Sequence, residues 1–205
     1  MKRFLFLIVF VFVYSISFSQ SQKEADEKLQ SIEGQWKQAE NGDLTYQSIV
    51  EVPGENKDEL FLRATNFFIY KYKDINKGVL QTQDKEQGLV VAKAFWPEFY
   101  ECYGGFWAEN ISYGAYFVLR VDLKDERARV TLTIQEYTFT VFSGKQSSVV
   151  PISAMYPLNT EKDKKTKPFD SMAFYELHTR CTGLIEELTA ALKKGLILNS
   201  EDKNW

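Results

Sequence analysis

Histidine and cysteine are scarce in this chain of 205 residues. His178 is the only histidine, and Cys102 and Cys181 are the only cysteines. A structural zinc site usually takes four ligands from these residue types. The sequence also has no glycine-rich phosphate loop and no serine nucleophile elbow. We therefore expect neither a metal site nor any other cofactor.

An excess of positive charge is also absent. The chain has 25 Lys and Arg against 28 Asp and Glu, a formal net charge of −3. Its one basic cluster, KDKKTK at residues 162–167, is typical of a solvated loop. Proteins that bind nucleic acid usually present an excess of basic residues. We expect no nucleic-acid partner.

Long hydrophobic runs are confined to the amino terminus. Residues 1–19 begin with Lys2 and Arg3, continue with apolar residues to about Phe18, and end in small residues that a signal peptidase reads. We predict a signal peptide cleaved after Ser19, with no transmembrane segment left. The apolar run is shorter than the ~20 residues of a spanning helix, and an uncleaved anchor is the alternative. The protein is thus predicted to be exported, and to be periplasmic, envelope-associated or secreted.

The two cysteines would lie in an oxidising compartment, where an even count permits one disulfide. Sequence alone cannot place their Cα atoms within bonding range. A bridge between Cys102 and Cys181 and a pair of buried thiols both remain open. His178 precedes Cys181 by three residues, a spacing that could activate a thiol. Cys181 also lies on the apolar stripe of its predicted helix, which favours a buried thiol.

The first half of the chain alternates between strand-like and helix-like patterns. Residues 20–43 form a polar leader with a possible short helix, and LTYQSIVEV after it predicts a strand that ends at Pro53 and Gly54. Asn56 is followed three residues later by Glu59, the spacing of a capping box. We predict a helix that begins there.

Four more strands and a helix follow. GVLQTQ and GLVVAKAF predict a hairpin, and two alternating strands come next. The apolar phase of the last strand flips after Gln135, which predicts a bulge or a break. Residues 143–168 are predicted to be a long polar loop. A carboxy-terminal helix at 169–196, with Asp170 as its N-cap, packs on the sheet, and residues 197–205 form a tail.

The order of elements is β-α-β-β-β-β-α, which predicts the α+β class. Consecutive strands with short connections form an antiparallel sheet, and helices cover its apolar face. We predict a two-layer sandwich in which a sheet of about five strands carries two helices on one face. The strands and first helix occupy residues 44–142.

Three segments, in this order and spacing, resemble an uncharacterised family of exported Bacteroidota proteins described as a domain of unknown function with a TBP-like fold. The matching residues are Val52-Pro53-Gly54 with Lys57-Asp58-Glu59-Leu60, Asp84-Lys85-Glu86 with Gly88, and Val121-Asp122 with Lys124-Asp125 and Arg127. The resemblance spans about Leu44 to Phe142 and implies the same arrangement of elements. It implies no activity, since that family has no catalytic residues to carry over.

The stretch from Phe95 to Tyr113 is longer and more aromatic than the family pattern. Flat rings beside carboxylates can stack on sugar or peptide faces. The candidate ligand-binding residues are Trp96, Glu98, Phe99, Tyr100, Glu101, Tyr103 and Trp107. Packing of the rings onto the sheet as a satellite core is favoured over this reading, and a partner-protein surface is a further alternative.

Two acids in this stretch, Glu98 and Glu101, are a candidate glycosidase pair. Retaining chemistry needs two carboxyl groups about 5 Å apart across a sugar, and their spacing in sequence does not establish that. No other catalytic constellation is visible. The sequence therefore predicts an exported non-catalytic module that binds a protein partner or supports envelope assembly. The alternative is a glycan- or peptide-binding protein that uses the aromatic stretch.

Overall fold

The computed structural model describes most of the chain after its amino terminus. The described residues are 22–72, 80–102, 110–141, 146–161 and 167–194. Several predictions lie outside them: the signal peptide at 1–19, the rings of Tyr103 and Trp107, most of the basic cluster, and the end of the last helix with the tail. No helix in the described part is both long and apolar enough to cross a membrane.

The described part contains three helices and seven strands. The helices are α1 at 22–31, α2 at Lys57–Lys71 and α3 at Lys167–Lys194. The strands are β1 at Lys37–Gln38, β2 at Leu44–Glu51, β3 at Leu80–Asp84, β4 at Leu89–Cys102, β5 at Ile111–Lys124, β6 at Arg127–Val141 and β7 at Gln146–Pro151. A 3-10 turn at Ile152–Ala154 follows β7.

All strands belong to one antiparallel sheet in the order β1-β2-β6-β5-β4-β3, and β7 pairs with β6. The predicted α+β class and the antiparallel sheet are confirmed, but about five strands was too low a count. The loop predicted at 143–168 was wrong where β7 lies. Its Ser-rich sequence pairs with β6 from Glu136 to Val141, a stretch that β2 does not reach. The pairing of β7 with this part of β6 outweighs the weak strand preference of the β7 sequence itself.

The predicted bulge at Gln135 is confirmed. Tyr116 pairs with Glu136 and Phe117 pairs with Ile134, so Gln135 is the extra residue of β6. An extra residue reverses the side-chain alternation, which explains why the apolar phase changes at this point. The bulge also divides β6 into a first part that pairs with β2 and a second part that pairs with β7.

The capping prediction for α2 is confirmed, and that for α3 was wrong. The Asn56 side chain accepts a hydrogen bond from the Glu59 backbone N–H at 2.9 Å. Asp170 lies inside the first turn of α3, which begins at Lys167, so it is not the N-cap. Its side chain is buried and accepts a bond from the Tyr113 hydroxyl, a long-range contact that the local sequence pattern could not reveal.

Helices α2 and α3 cover the same face of the sheet and contact each other. Arg63 of α2 donates to the Leu192 carbonyl of α3 at 2.8 Å, and Lys71 pairs with Glu187. The apolar side chains of β2, β4, β5 and β6 on this face form one core with the helices. Alternate residues of these strands lie on the opposite face, which we call the open face.

Candidate functional site

The aromatic stretch contributes to the core through its described rings. Strand β4 continues through it, with an irregularity between Trp96 and Tyr100. Trp96 stacks on Phe117 with ring centroids 4.2 Å apart, and Phe99 is only 4% exposed. The Tyr100 ring lies beside that of Tyr113. These three rings have the positions expected of a satellite core, whereas Tyr103 and Trp107 lie outside the described residues.

The two candidate acids differ in their surroundings. Glu98 is exposed and lies in the irregular segment. Its backbone φ is 45°, a value that residues other than glycine seldom adopt. Glu101 is half-buried in the regular strand beyond it, opposite Ser112 of β5. Their positions supply no reason to assign them as a catalytic pair.

Tyr113 and Asp170 form a buried hydrogen bond between β5 and α3. The Tyr113 hydroxyl donates to the Asp170 carboxylate at 3.0 Å, and both residues are at most 4% exposed. Burial raises the pKa of Tyr113, and the negative charge of Asp170 raises it further. The same two causes raise the pKa of Tyr137, which stacks on Tyr113, to about 12. Both phenols stay neutral, and Tyr113 attaches the start of α3 to the sheet.

His178 forms a second buried pair, with Tyr46 of β2. The Tyr46 hydroxyl lies 3.2 Å from His178 Nδ1, and the histidine is 4% exposed. Burial lowers the pKa of His178, so its imidazole is neutral near pH 7. Burial also raises the pKa of Cys181, which is wholly inaccessible. A nucleophilic cysteine needs the opposite, a lowered pKa and access to its substrate.

Both cysteines are free and buried in the structure. Of the two readings left open by the sequence, buried thiols describe Cys102 and Cys181, and the disulfide is absent. Burial raises the pKa of the Cys102 thiol as well. The described residues contain no cluster of three or more His, Cys, Asp or Glu suited to a metal ion.

The outer edge of β2 is a feature that the sequence analysis did not identify. Strand β1 pairs with β2 only at Leu44 and Thr45. The Val52 N–H donates to the Glu126 carbonyl at 2.8 Å, on the side of β6. Because antiparallel strands alternate the direction of their backbone groups, Gln47, Ile49 and Glu51 direct their N–H and C=O groups away from β6. No described strand pairs with that edge beyond Thr45.

A cleft of about 440 Å³ lies beside this edge. It is lined by residues 34–37, by β2 at residues 45–48 and by one turn of α3 that includes Thr182, Ile185 and Glu186. Most of the lining residues have hydroxyl or amide side chains, and Trp36 contributes a ring. The strand signal of LTYQSIVEV predicted β2 correctly, but nothing local indicates which strand lies at an edge.

Trp36 also lines a larger cleft of about 1040 Å³, between α1 and the turn at Tyr156 and Pro157. Its ring packs edge-on against Phe174 of α3, with centroids 5.2 Å apart. In the sequence, the possible short helix of the leader has Leu29, Ile32 and Trp36 at the three- and four-residue spacing of an apolar stripe. That helix ends at residue 31, so Trp36 lies beyond it and separates the two clefts.

The open face carries a group of charged side chains on neighbouring strands. Asp122 of β5 lies opposite Arg129 of β6, and Arg120 lies two residues before Asp122. Arg120 and Arg129 both donate to the Asp122 carboxylate. These bonds hold the pKa of Asp122 below its ordinary value and raise that of Arg120. Asp122 and Arg120 are therefore both charged at neutral pH.

Residues 46–138 match the family described as a domain of unknown function (DUF4468) with TBP-like fold. No curated protein matches the chain. Among solved structures, a TBP-like protein from Parabacteroides distasonis is 17% identical, with a TM-score of 0.56 over 76% of this chain and 96% of its own. A DUF4468 family protein from Bacteroides ovatus is 11% identical, with a TM-score of 0.53 over 80% of this chain and 95% of its own. At these identities the two structures establish the fold alone. Residues 46–138 of this chain therefore match that family of unknown function with a TBP-like fold, and the resemblance found in the sequence is confirmed.

Proposed function

We propose that this protein is an exported, non-catalytic module that binds a partner protein by adding an extended segment of that partner to the edge of β2. The observation that carries the proposal is the outward direction of the backbone groups of Gln47, Ile49 and Glu51. An exposed edge of this kind is a template for another strand. The amino-terminal sequence supports export.

Main-chain pairing would supply affinity, and side chains on the two sides of the added strand would supply specificity. One set of the partner's side chains would lie beside Ile49, which is 49% exposed. The alternate set would enter the cleft beside Thr182 and Ile185. We therefore expect a partner segment with apolar or β-branched residues at alternate positions and small or polar residues between them.

A single segment suits this edge better than a second copy of the chain. Residues 34–37 and the turn of α3 at 182–186 flank β2 on the two sides of the cleft. A second copy would bring the same two walls to the interface, where they would meet the first pair. A slender extended chain carries no such walls.

The test is photo-crosslinking in intact cells, with a photoreactive amino acid at position 47, followed by peptide mapping. We expect one partner, crosslinked through an extended segment. Ile49→Pro removes an outward N–H that the sheet does not use, so the fold should persist and the crosslink should be lost. Ile49→Thr keeps that N–H and is the matched control, which should retain the crosslink. Equal capture by both variants would contradict strand addition.

Hydrogen exchange gives an independent readout of the same edge. In the free protein the amides of Gln47, Ile49 and Glu51 should exchange faster than those of Tyr46, Ser48 and Val50, because only the second set faces β6. The crosslinked partner segment, added as a peptide, should protect the first set. Protection confined to the open face of β5 would overturn the assignment.

The alternative, glycan or peptide binding through the aromatic stretch, has a direct test as well. Because Trp96 stacks on Phe117, Trp96→Ala should lower the melting temperature. If the fold is unchanged and binding to a glycan array is lost, the ring serves a ligand and the alternative gains support.

A further inference from the structure

The geometry points to an anion site on the open face, formed by the guanidinium groups of Arg120 and Arg129, and we propose that it receives carboxylate side chains of an acidic protein segment. The site goes beyond strand addition at β2. It lies on β5 and β6 rather than at the edge, and neither proposal requires the other.

Asp122 holds both guanidinium groups in place. Arg120 Nε lies 3.1 Å from each carboxylate oxygen, and its Nη2 lies 2.7 Å from Oδ1. Arg129 donates from Nε at 3.2 Å and from Nη2 at 3.1 Å, both to Oδ2. Each arginine thus uses the same edge of its guanidinium, and its Nη1 group bonds to no described residue. Two oriented pairs of donors are left for a ligand.

The charge of this group is not balanced internally. One carboxylate faces two guanidinium groups, and both arginine side chains are 50% exposed. Lys93 lies on the same face, because it pairs with Val118 in the row next to Arg120. Asp122 itself is less exposed, at 24%. An approaching ligand therefore meets positive charge first.

The wider face has the same sign. Lys124 and Arg127 lie one row from Asp122 and Arg129. Of the acids in these rows, Glu51 is paired with Arg127 at 3.1 Å, and Asp84 accepts a turn hydrogen bond from Gln87. Basic side chains thus outnumber acidic ones in these rows, whereas the whole chain has a net charge of −3.

A protein segment is the occupant that these charges fit. Arginine binds a carboxylate through two parallel hydrogen bonds, and a pair of arginines can engage neighbouring carboxylates. The small local excess of positive charge suits a few carboxylates. A nucleic acid would bring a long run of phosphates to a chain that is negative overall, which disfavours its approach. Val91 and Val118 beside the arginines offer apolar contact to the same segment.

The experiment measures binding of a labelled, end-capped hexaglutamate peptide to the full chain at low ionic strength. Arg120→Gln together with Arg129→Gln should weaken binding about tenfold or more, a loss of binding free energy of about 1.4 kcal/mol or more. Arg180→Gln is the matched control, because this exposed arginine lies on α3, in the layer across the sheet from the open face. Equal losses in the double variant and the control would overturn the site. Circular dichroism confirms that each variant is folded.

Asp122→Asn distinguishes binding by oriented guanidinium groups from binding that depends only on the net positive charge. The variant raises the net charge by one but removes the anion that orients both guanidinium groups. We expect weaker peptide binding, and tighter binding would overturn the oriented site. Tighter binding of a single-stranded oligonucleotide, or equal binding of inorganic phosphate, would overturn the choice of a carboxylate ligand. Strand addition is measured by the crosslink from position 47, and this site by the peptide affinity of the Arg120 and Arg129 variants, so failure here and failure of strand addition remain distinguishable.

Discussion

The two faces of β5 differ sharply although the same strand supplies both. Leu119 and Val121 are fully buried under the helices, whereas Arg120 and Asp122, which alternate with them along the strand, lie on the open face. Removal of apolar area from water stabilises the fold on the first face. Solvated ion pairs on the second add little. Residues one position apart are thus specialised for stability and for contact with other molecules.

The largest expected effect tests the buried face directly. Leu119→Ala should lower the free energy of unfolding by about 3 kcal/mol, because it leaves a cavity between α-helices and sheet. Arg120→Ala, one residue later, should cost at most about 1 kcal/mol. Urea denaturation of the two variants provides the measurement. Similar losses would remove the distinction between the faces.

Gly114 of β5 shows where the open face is closely packed. A Cβ at this position would lie 2.6 Å from Thr138 Oγ1 and 2.7 Å from a Phe95 ring carbon. Gly114→Ala should therefore cost about 2 kcal/mol through overpacking. Gly183→Ala in α3 is the control, since no heavy atom lies within 4 Å and the helix should gain about 1 kcal/mol. If the two variants shift the unfolding midpoint in the same direction, the packing argument is wrong.

The buried hydrogen bond of Tyr113 should matter more than an open-face hydroxyl. Tyr113→Phe removes the donor to Asp170 and should cost about 1 to 2 kcal/mol. Tyr116→Phe, on the open face of the same strand, should change stability by less than about 0.5 kcal/mol. Chemical denaturation at neutral pH measures both. If Tyr113→Phe leaves the free energy of unfolding unchanged, the hydroxyl does not stabilise the start of α3.

A smaller, pH-dependent effect should come from His178. Its folded-state pKa is lowered by burial, so the unfolded chain takes up a proton more readily. The contribution of His178 is therefore present above the ordinary value of 6.5 and is lost as the pH falls from there towards the folded-state value. As the pH is lowered across this range, the melting temperature of the natural protein should decrease more steeply than that of His178→Gln. Parallel curves would exclude the linkage.

The smallest effect is expected at the margin of the open face. Glu51 pairs with Arg127 at 3.1 Å, but both side chains are about 60% exposed, 62% and 58% respectively. Glu51→Gln should change the free energy of unfolding by less than about 0.5 kcal/mol. A loss close to that of Leu119→Ala would mean that the open face contributes to stability as much as the core does.

Features with a local cause were predictable from the sequence. The Asn56 cap depends on a side chain and an N–H three residues away. The bulge at Gln135 is visible because the alternation of buried and exposed side chains reverses within one strand. The fold class followed from the order of such elements, and the family resemblance agreed with it.

Features that depend on distant residues were not predictable. Asp170 has the local pattern of a cap, yet its contact with Tyr113, 57 positions away, draws it into the core. Strand β7 has weak strand preference and exists because β6 offers it a partner. The clefts beside Trp36 combine residues from elements far apart in sequence. Of the described rings of the aromatic stretch, Trp96 and Phe99 pack inward, whereas Phe95 lies on the open face against Tyr116.

The extra residue at Gln135 also determines where β6 can tolerate the deletion of one residue. Removing that residue would make β6 a regular strand in which Ile134, Glu136 and Tyr137 keep their partners on β5, and Tyr137 would stay in the core. Removing a residue within the first part instead, such as Thr131, would turn Leu132 and Ile134 from the core to the open face. We therefore expect a one-residue deletion at Gln135 to be tolerated better than one at Thr131, a contrast that a deletion scan of this strand would reveal.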